Sequence, residues 1–303
     1  MTSYVTDGSV GPWAKLKLDC LHDYLQAYTT IMKNQTRWCS GYVYVDAFAG
    51  GGKAPLRSYS NDDESISLLD EVAEFVQQEE TEATQYVIGS PRVALDVDFP
   101  FTEYVFIEKN SNRIEELLKL KQQYGNTRNI TILQGDANRL IKSHFFENGH
   151  YNWETHRAVA FLDPFGMQVP WQTLQLLGRT SAIELILNLP VGMAIQRLLP
   201  NSGEFSSKHK LMLNEYFGSS AWEKIVYEQQ PSLFGTQTVK KRDSGEQLAR
   251  WYQKRLGAEY GYCPKPRLIK NTRGAHLYYL LWAGPKKVAA RIAEHVLRQG
   301  EII

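Results

Sequence analysis

The chain has 303 residues, enough for one large α/β domain or for a core domain carrying a substantial insertion. Hydrophobic residues make up 43% of it, and no apolar run approaches the roughly 18 to 20 residues of a spanning helix, which points to a soluble protein with no membrane partner. The formal net charge of +1 neither demands nor excludes a nucleic acid, because a basic face can sit inside a balanced total.

The N-terminus, Met1-Thr2-Ser3-Tyr4-Val5, lacks a basic start followed by an apolar stretch, so no signal peptide is expected and the location reads as cytoplasmic. Cys20, Cys39 and Cys263 are far apart, with no CxxC pair and no histidine at ligand spacing, so no metal site is expected. Leu16, Leu18, Leu21, Leu25 and Tyr28 recur at roughly helical spacing and predict an amphipathic helix from about 13 to 33. Tyr42-Val43-Tyr44-Val45 reads as a strand closed by Asp46, and it runs into Ala47-Phe48-Ala49-Gly50-Gly51-Gly52. Residues 53–88 then turn polar and acidic, with carboxylates at Asp62, Asp63 and Glu64 and again at Glu79, Glu80 and Glu82. Between them lies a helix-like patch at Ile66, Leu68, Leu69, Val72 and Phe75. This stretch reads as an insertion, or a lid over a ligand bound at the glycines.

Gly89-Ser90-Pro91 looks like a helix start, with Ser90 as N-cap and Pro91 at the first helical position. The pattern then becomes regular. Tyr104-Val105-Phe106-Ile107 ends in Glu108, a helix from 111 to 124 follows, and Ile130-Thr131-Ile132-Leu133 ends near Asp136. Val159-Ala160-Phe161-Leu162 ends in Asp163, a helix covers about 171 to 179, and Ile183 to Leu189 is almost continuously apolar. Strands that alternate with helices, each apolar and each closed by a polar residue, make a parallel sheet covered on both faces, and such sheets bind ligands beyond the carboxyl ends of their strands. Residues 204–260 read as mostly helical, within a helical insertion or substrate-side subdomain spanning 200–262. Arg267 to Lys270, a turn at Asn271-Thr272-Arg273-Gly274, and His276 to Trp282 read as a terminal hairpin. The expected fold is one Rossmann-like class I methyltransferase domain over residues 1–303. Its sheet has seven mostly parallel strands with a C-terminal antiparallel hairpin and helices on both faces.

The polar strand ends carry the chemistry. Gly50, Gly51 and Gly52 let the backbone approach a ligand closely, and their amides suit an anionic group such as a cofactor carboxylate; a plain tight turn is the alternative. Glu108 can accept hydrogen bonds from ribose hydroxyls, or simply favour the start of the next helix. Asp136 can bond an adenine amino group, or cap the helix that follows it. A nicotinamide site would need G-x-G-x-x-G with an acid about 20 residues on. Here the glycines are contiguous and the acid lies far downstream, which favours S-adenosylmethionine, with Asp46, Phe48 and Ala137 lining the same cofactor site.

Asp163-Pro164-Phe165-Gly166 suits the placing of an exocyclic amine. Asp163 and the carbonyl of Pro164 would accept its two hydrogens, Phe165 would stack on the heterocycle and Gly166 would leave room for it; an ordinary strand-ending turn is the alternative. Asn188 and Pro190, at the end of the next strand, point to the same cleft. Lys240, Lys241 and Arg242, the Lys208-His209-Lys210 run, and Arg267, Lys270 and Arg273 are candidates for phosphate contact.

Taken together, these segments resemble the three-Cys-motif partner family, TcmP. The likeness rests on the N-terminal Lys-containing helix, Val45 to Gly50, Gly89-Ser90-Pro91, Phe106-Ile107-Glu108, Gly135-Asp136-Ala137-Asn138, Phe161 to Gly166, and Leu187 to Pro190 with Gly192-Met193-Ala194. The resemblance implies a methyltransferase-like fold and a functional link to a radical-type iron-sulfur partner, the three-Cys-motif protein. The Asp-Pro-Phe-Gly motif is also similar to that of tRNA guanine-N2 methyltransferases, whereas adenine and cytosine amino-methyltransferases more often carry Asp-Pro-Pro-aromatic. Two functions follow. One is methylation of an exocyclic amine on an RNA or DNA base; the other is a binding subunit for the three-Cys partner with no methyl transfer of its own.

Overall fold

Six of the strands expected from the sequence run the same way, because a strand buried on both faces gains most where neighbouring helices cover it. The computed structural model describes residues 12–51, 53–54, 87–233, 235–271 and 273–299. In chain order the strands are β1 (Gly41–Asp46), β2 (Lys53–Ala54), β3 (Val87–Ile88), β4 (Glu103–Glu108), β5 (Ile130–Gln134), β6 (His156–Leu162), β7 (Ile183–Leu189), β8 (Tyr227–Ser232), β9 (Gly235–Lys240), β10 (Arg267–Lys270) and β11 (His276–Ala283). The longer helices are α1 (Pro12–Met32), α2 (Ser90–Leu95), α3 (Ser111–Tyr124), α4 (Ala137–Lys142), α5 (Trp171–Gly178), α6 (Ser207–Phe217), α7 (Trp222–Val226), α8 (Ser244–Tyr260) and α9 (Lys287–Arg298).

Seven strands form one sheet in the order β5-β4-β1-β6-β7-β11-β10. The pairings β1–β4, β4–β5, β1–β6 and β6–β7 are parallel, while β11 is antiparallel to both β7 and β10. This is a doubly wound, Rossmann-like sheet with the terminal antiparallel hairpin folded onto its edge. The strand alternation sorts the core into two layers. Val43, Val45, Val105, Ile107, Ala158, Ala160 and Leu162 face α4, α5, α6 and α8. Tyr44, Tyr104, Phe106, Val159 and Phe161 face α1, α2, α3 and α9. Each Val, Leu, Ile or Phe among them, taken from water to the interior, contributes roughly 1.5–3 kcal/mol.

Two expectations need correction. Residues 227–240 are not helical: β8 and β9 form an antiparallel hairpin, register Tyr227↔Lys240 to Ser232↔Gly235. Most of its side chains are exposed, so it shows no apolar period that could mark it as strand. At α2 the N-cap is Gly89, and Ser90 is the first helical residue. The insertion at 53–88 leaves and returns through a two-residue ladder, Lys53↔Ile88 and Ala54↔Val87. Its interior, with Asp62, Asp63, Glu64, Glu79, Glu80, Glu82 and the patch from Ile66 to Phe75, lies outside the described residues, as does Gly52. Among the described residues no helix is long and apolar enough to cross a membrane.

Candidate active site at the carboxyl edge of the sheet

β1, β4, β5 and β6 end on the same edge of the sheet, and their terminal acids converge there. Asp46 closes β1 with no solvent exposure. Burial pushes its carboxyl up to about 7, the charge of Asp163 pushes the same way, and hydrogen bonds from Ser90, the Phe48 amide and Tyr44 oppose the rise. The Phe48 amide and the Tyr44 hydroxyl both lie 3.3 Å from Asp46. Asp46 is therefore closed off from solvent and holds the strand-to-glycine turn from beneath. Phe48 packs partly into the core.

The glycine turn behaves as its composition demands. Gly50 has φ +63, the left-handed region that glycine enters without a Cβ penalty, and a Cβ there would meet nothing within 4 Å. Its amide donates to Glu108 Oε2 at 2.9 Å. A Cβ on Gly51 would stand 1.6 Å from Glu116 Oε2, so the Glu116 carboxylate fills the space that the glycine leaves.

Glu108 is 8% exposed and is satisfied almost entirely by backbone. Besides Gly50, it accepts from the amides of Lys109 and Asn110, each at 2.8 Å, and Arg113 lies 3.8 Å from its second oxygen. A carboxylate offers about four lone-pair positions, and three are filled by amides. Glu108 can therefore take one ribose hydroxyl as it stands, and both only if a neighbour lets go. Asp136 caps α4, accepting from the Arg139 amide at 2.9 Å, with its side chain otherwise exposed and Ala137 buried behind it. The capping alternative thus holds for Asp136, while its exposure leaves it open to a ligand. Next to it, Asn138 bonds the Gln168 carbonyl at 2.8 Å and Thr173 at 2.9 Å, tying this turn to the loop that follows Asp163.

At the end of β6, Asp163 is held on both oxygens. Asn188 donates from Nδ2 to Oδ1 at 2.7 Å, and Lys17, from α1, forms an ion pair with Oδ2. Because a carboxylate only accepts, the Asn188 amide must point its nitrogen at Asp163, which leaves Asn188 Oδ1 a buried acceptor with no hydrogen-bond partner among the described residues. Pro164 is buried and Phe165 is half-buried, belonging to neither core layer. The Arg113 guanidinium lies 5.8 Å over the Phe165 ring. Gly166 has φ +74 with open space where a Cβ would be. Pro190 is buried, and its carbonyl accepts from Ile195 at 3.1 Å.

The basic candidates separate. Lys240 donates to the Gln196 and Leu199 carbonyls at 2.8 and 2.9 Å, and burial lowers its pKa; Lys241 donates to the Lys224 and Ile225 carbonyls at 3.0 and 3.1 Å. Both are spent on main-chain acceptors in the helix-and-hairpin subdomain. Arg267 is 4% exposed and caps the end of α9 through the Leu297 carbonyl at 3.0 Å, so it does not track phosphates. Lys210 pairs with Glu223 at 2.8 Å. Arg242, Lys270 and Arg273 are exposed.

Sequence reasoning missed Lys17, Ser90, Arg113 and Glu116. Arg113 and Glu116 are three apart on α3, hence on one helical face, and a reading that first placed Glu108 could have found them. A cleft of about 470 Å3 lined by Glu103, His144, His150, Tyr151 and His156 opens at the opposite, amino end of the strands and shares no residue with this site.

No family model and no curated protein matches the sequence. Among solved structures, the chain is similar to the crystal structure of protein LPL1258, family-model DUF519, from Legionella pneumophila str. Philadelphia 1, at 13% identity and a TM-score of 0.47, with 95% of this chain and 92% of that chain covered.

Proposed function

We propose that this chain is an S-adenosylmethionine-dependent methyltransferase of the TcmP type that acts on an exocyclic amine of a nucleic-acid base. The observation that carries the reading is Asp163 at the end of β6, fixed on both oxygens beside a half-buried Phe165 and the open space at Gly166. The residues around Gly50 fit the cofactor. The turn adopts a conformation only glycine takes easily, has room above Gly50, and sits against a buried acid with one lone pair to offer.

Gly50 and Gly51 would hold the methionine end, Glu108 the ribose and Asp136 with Ala137 the adenine. When bound, the cofactor supplies a methyl group on a positively charged sulfur, so the electrophile arrives already activated. The protein's share is placement. Asp163 and the Pro164 carbonyl accept the two amine hydrogens, which draws the nitrogen lone pair out of conjugation and aims it along one line. Phe165 covers one face of the heterocycle, and Arg113 steadies the ring from behind. Asp163 is also the nearest acceptor for the proton that the nitrogen must release after alkylation.

Incubation with methyl-labelled cofactor, followed by separation of RNA, DNA and protein, tests the proposal. Label should enter one nucleic-acid pool, and Asp163→Ala should lower that transfer by about 10³-fold while cofactor affinity stays within a few fold. Absence of cofactor binding by calorimetry, or label confined to protein, overturns it. Co-purification with a three-Cys partner without any transfer supports the binding-subunit reading instead.

A further inference from the structure

We infer that Lys17 is a positioning residue for amine methylation, acting through the Asp163 carboxylate; this rests on the function proposed above. Lys17 comes from α1, which contributes no strand end or loop to the site, and reaches a residue 146 positions away in sequence. The side chains of the pair are 14% and 21% exposed, so this is no loose surface contact of the kind that adds little. The ammonium also lies 5.7 Å from the centre of the Tyr278 ring on β11. Leu21 and Leu25, one and two turns along α1, are buried in the aromatic-rich layer, so the helix that carries Lys17 has no freedom to slide.

The arrangement does two things for Asp163. An aspartate turns about two bonds, and a donor on one oxygen alone leaves its plane free to tilt. With Asn188 on Oδ1 and Lys17 on Oδ2, both torsions are fixed, and two of the four lone pairs remain in a set direction to accept an amine. Charge matters as well. The charge of Asp163 helps raise the pKa of the buried Asp46, so the two acids are near neighbours, and Lys17 places a cation against Asp163. A nucleophile displaced by about 1 Å from the line of attack can lose about 10²-fold in rate, which sets the scale of the effect.

The test uses the full chain, labelled S-adenosylmethionine and the nucleic-acid pool that the wild-type protein labels. Lys17→Met should lower kcat by about 10²-fold while KM for nucleic acid and cofactor affinity stay within about threefold, and Lys17→Arg should recover at least about tenfold of the loss. A purely structural role would move none of these selectively. Combined with Asp163→Asn, Lys17→Met should cost less than about a further twofold, because two residues acting as one unit are not additive. Retention of kcat within about threefold in Lys17→Met, or a double variant that loses the product of the separate effects, overturns the inference. If the wild-type chain transfers no label, the proposed function falls, and a crystal structure of Lys17→Met then decides on the pair. A carboxylate of Asp163 turned away from Asn188 supports positioning by Lys17, and an unmoved carboxylate overturns it.

Discussion

Asp46 and Glu184 are both buried acids of the same sheet, one at the carboxyl end of β1 and the other near the amino end of β7, and burial raises both to about 7. By acidity alone they are indistinguishable. Their surroundings differ. Asp46 receives a backbone amide of the turn leading to Gly50, hydroxyls from Tyr44 and Ser90, and faces a second carboxylate, Asp163. Glu184 has one phenol, Tyr24. Desolvation therefore does not by itself mark a site; the company of an adaptable loop and a second ionisable group does.

Three measurements separate Asp46 from Glu184. The largest effect is on stability against pH. Both acids hold their proton in the folded state when the unfolded chain, with ordinary values of 3.8 and 4.5, has already released it. Folding then takes up protons, so the two acids favour folding below about pH 4 and subtract stability as pH rises to about 7, by on the order of a few kcal/mol together. Chemical denaturation across this range should show the fall, and Glu184→Gln should remove a large part of it. An unchanged slope in that variant means that Glu184 is not the group responsible. Next in size, Tyr24→Phe should cost about 1–3 kcal/mol by leaving Glu184 buried without its donor, measured as a shift in denaturation midpoint at neutral pH. The smallest effect separates the two acids by function. Asp46→Asn should weaken S-adenosylmethionine binding about tenfold by calorimetry, because an amide group cannot accept from all the donors that meet at this position. Glu184→Gln should stay within about twofold, and equal losses at both would erase the distinction.

Much of this was legible in the chain. Val43, Val105, Val159 and their neighbours are apolar on both faces, and each run stops at an acid, so parallel strands with a polar edge could be read without coordinates. The 111 to 124 helix matches α3, and its cap is Asn110. The β8–β9 hairpin was not legible, since Glu228, Gln229, Gln230, Thr236 and Gln237 are exposed and leave no alternation. Arg267 was legible but misread: it shares the inward face of β10 with Ile269 two residues on, and that alternation already places it inside. Lys17 had no local signal, because its partner is set by the packing of α1 and not by spacing.

One helix serves two acids of the sheet, Asp163 and Glu184. On α1, Lys17 meets Asp163 and Tyr24 meets Glu184. These two residues are seven apart, two turns and about 10.5 Å along one face. The helix thus works as a gauge laid across the sheet, and its length between the two contacts is fixed by the separation of the acids it touches. A single residue inserted between Lys17 and Tyr24 would turn one of them about 100° away from its acid. The spacing of that segment is under a constraint that its composition, ordinary for any amphipathic helix, does not reveal.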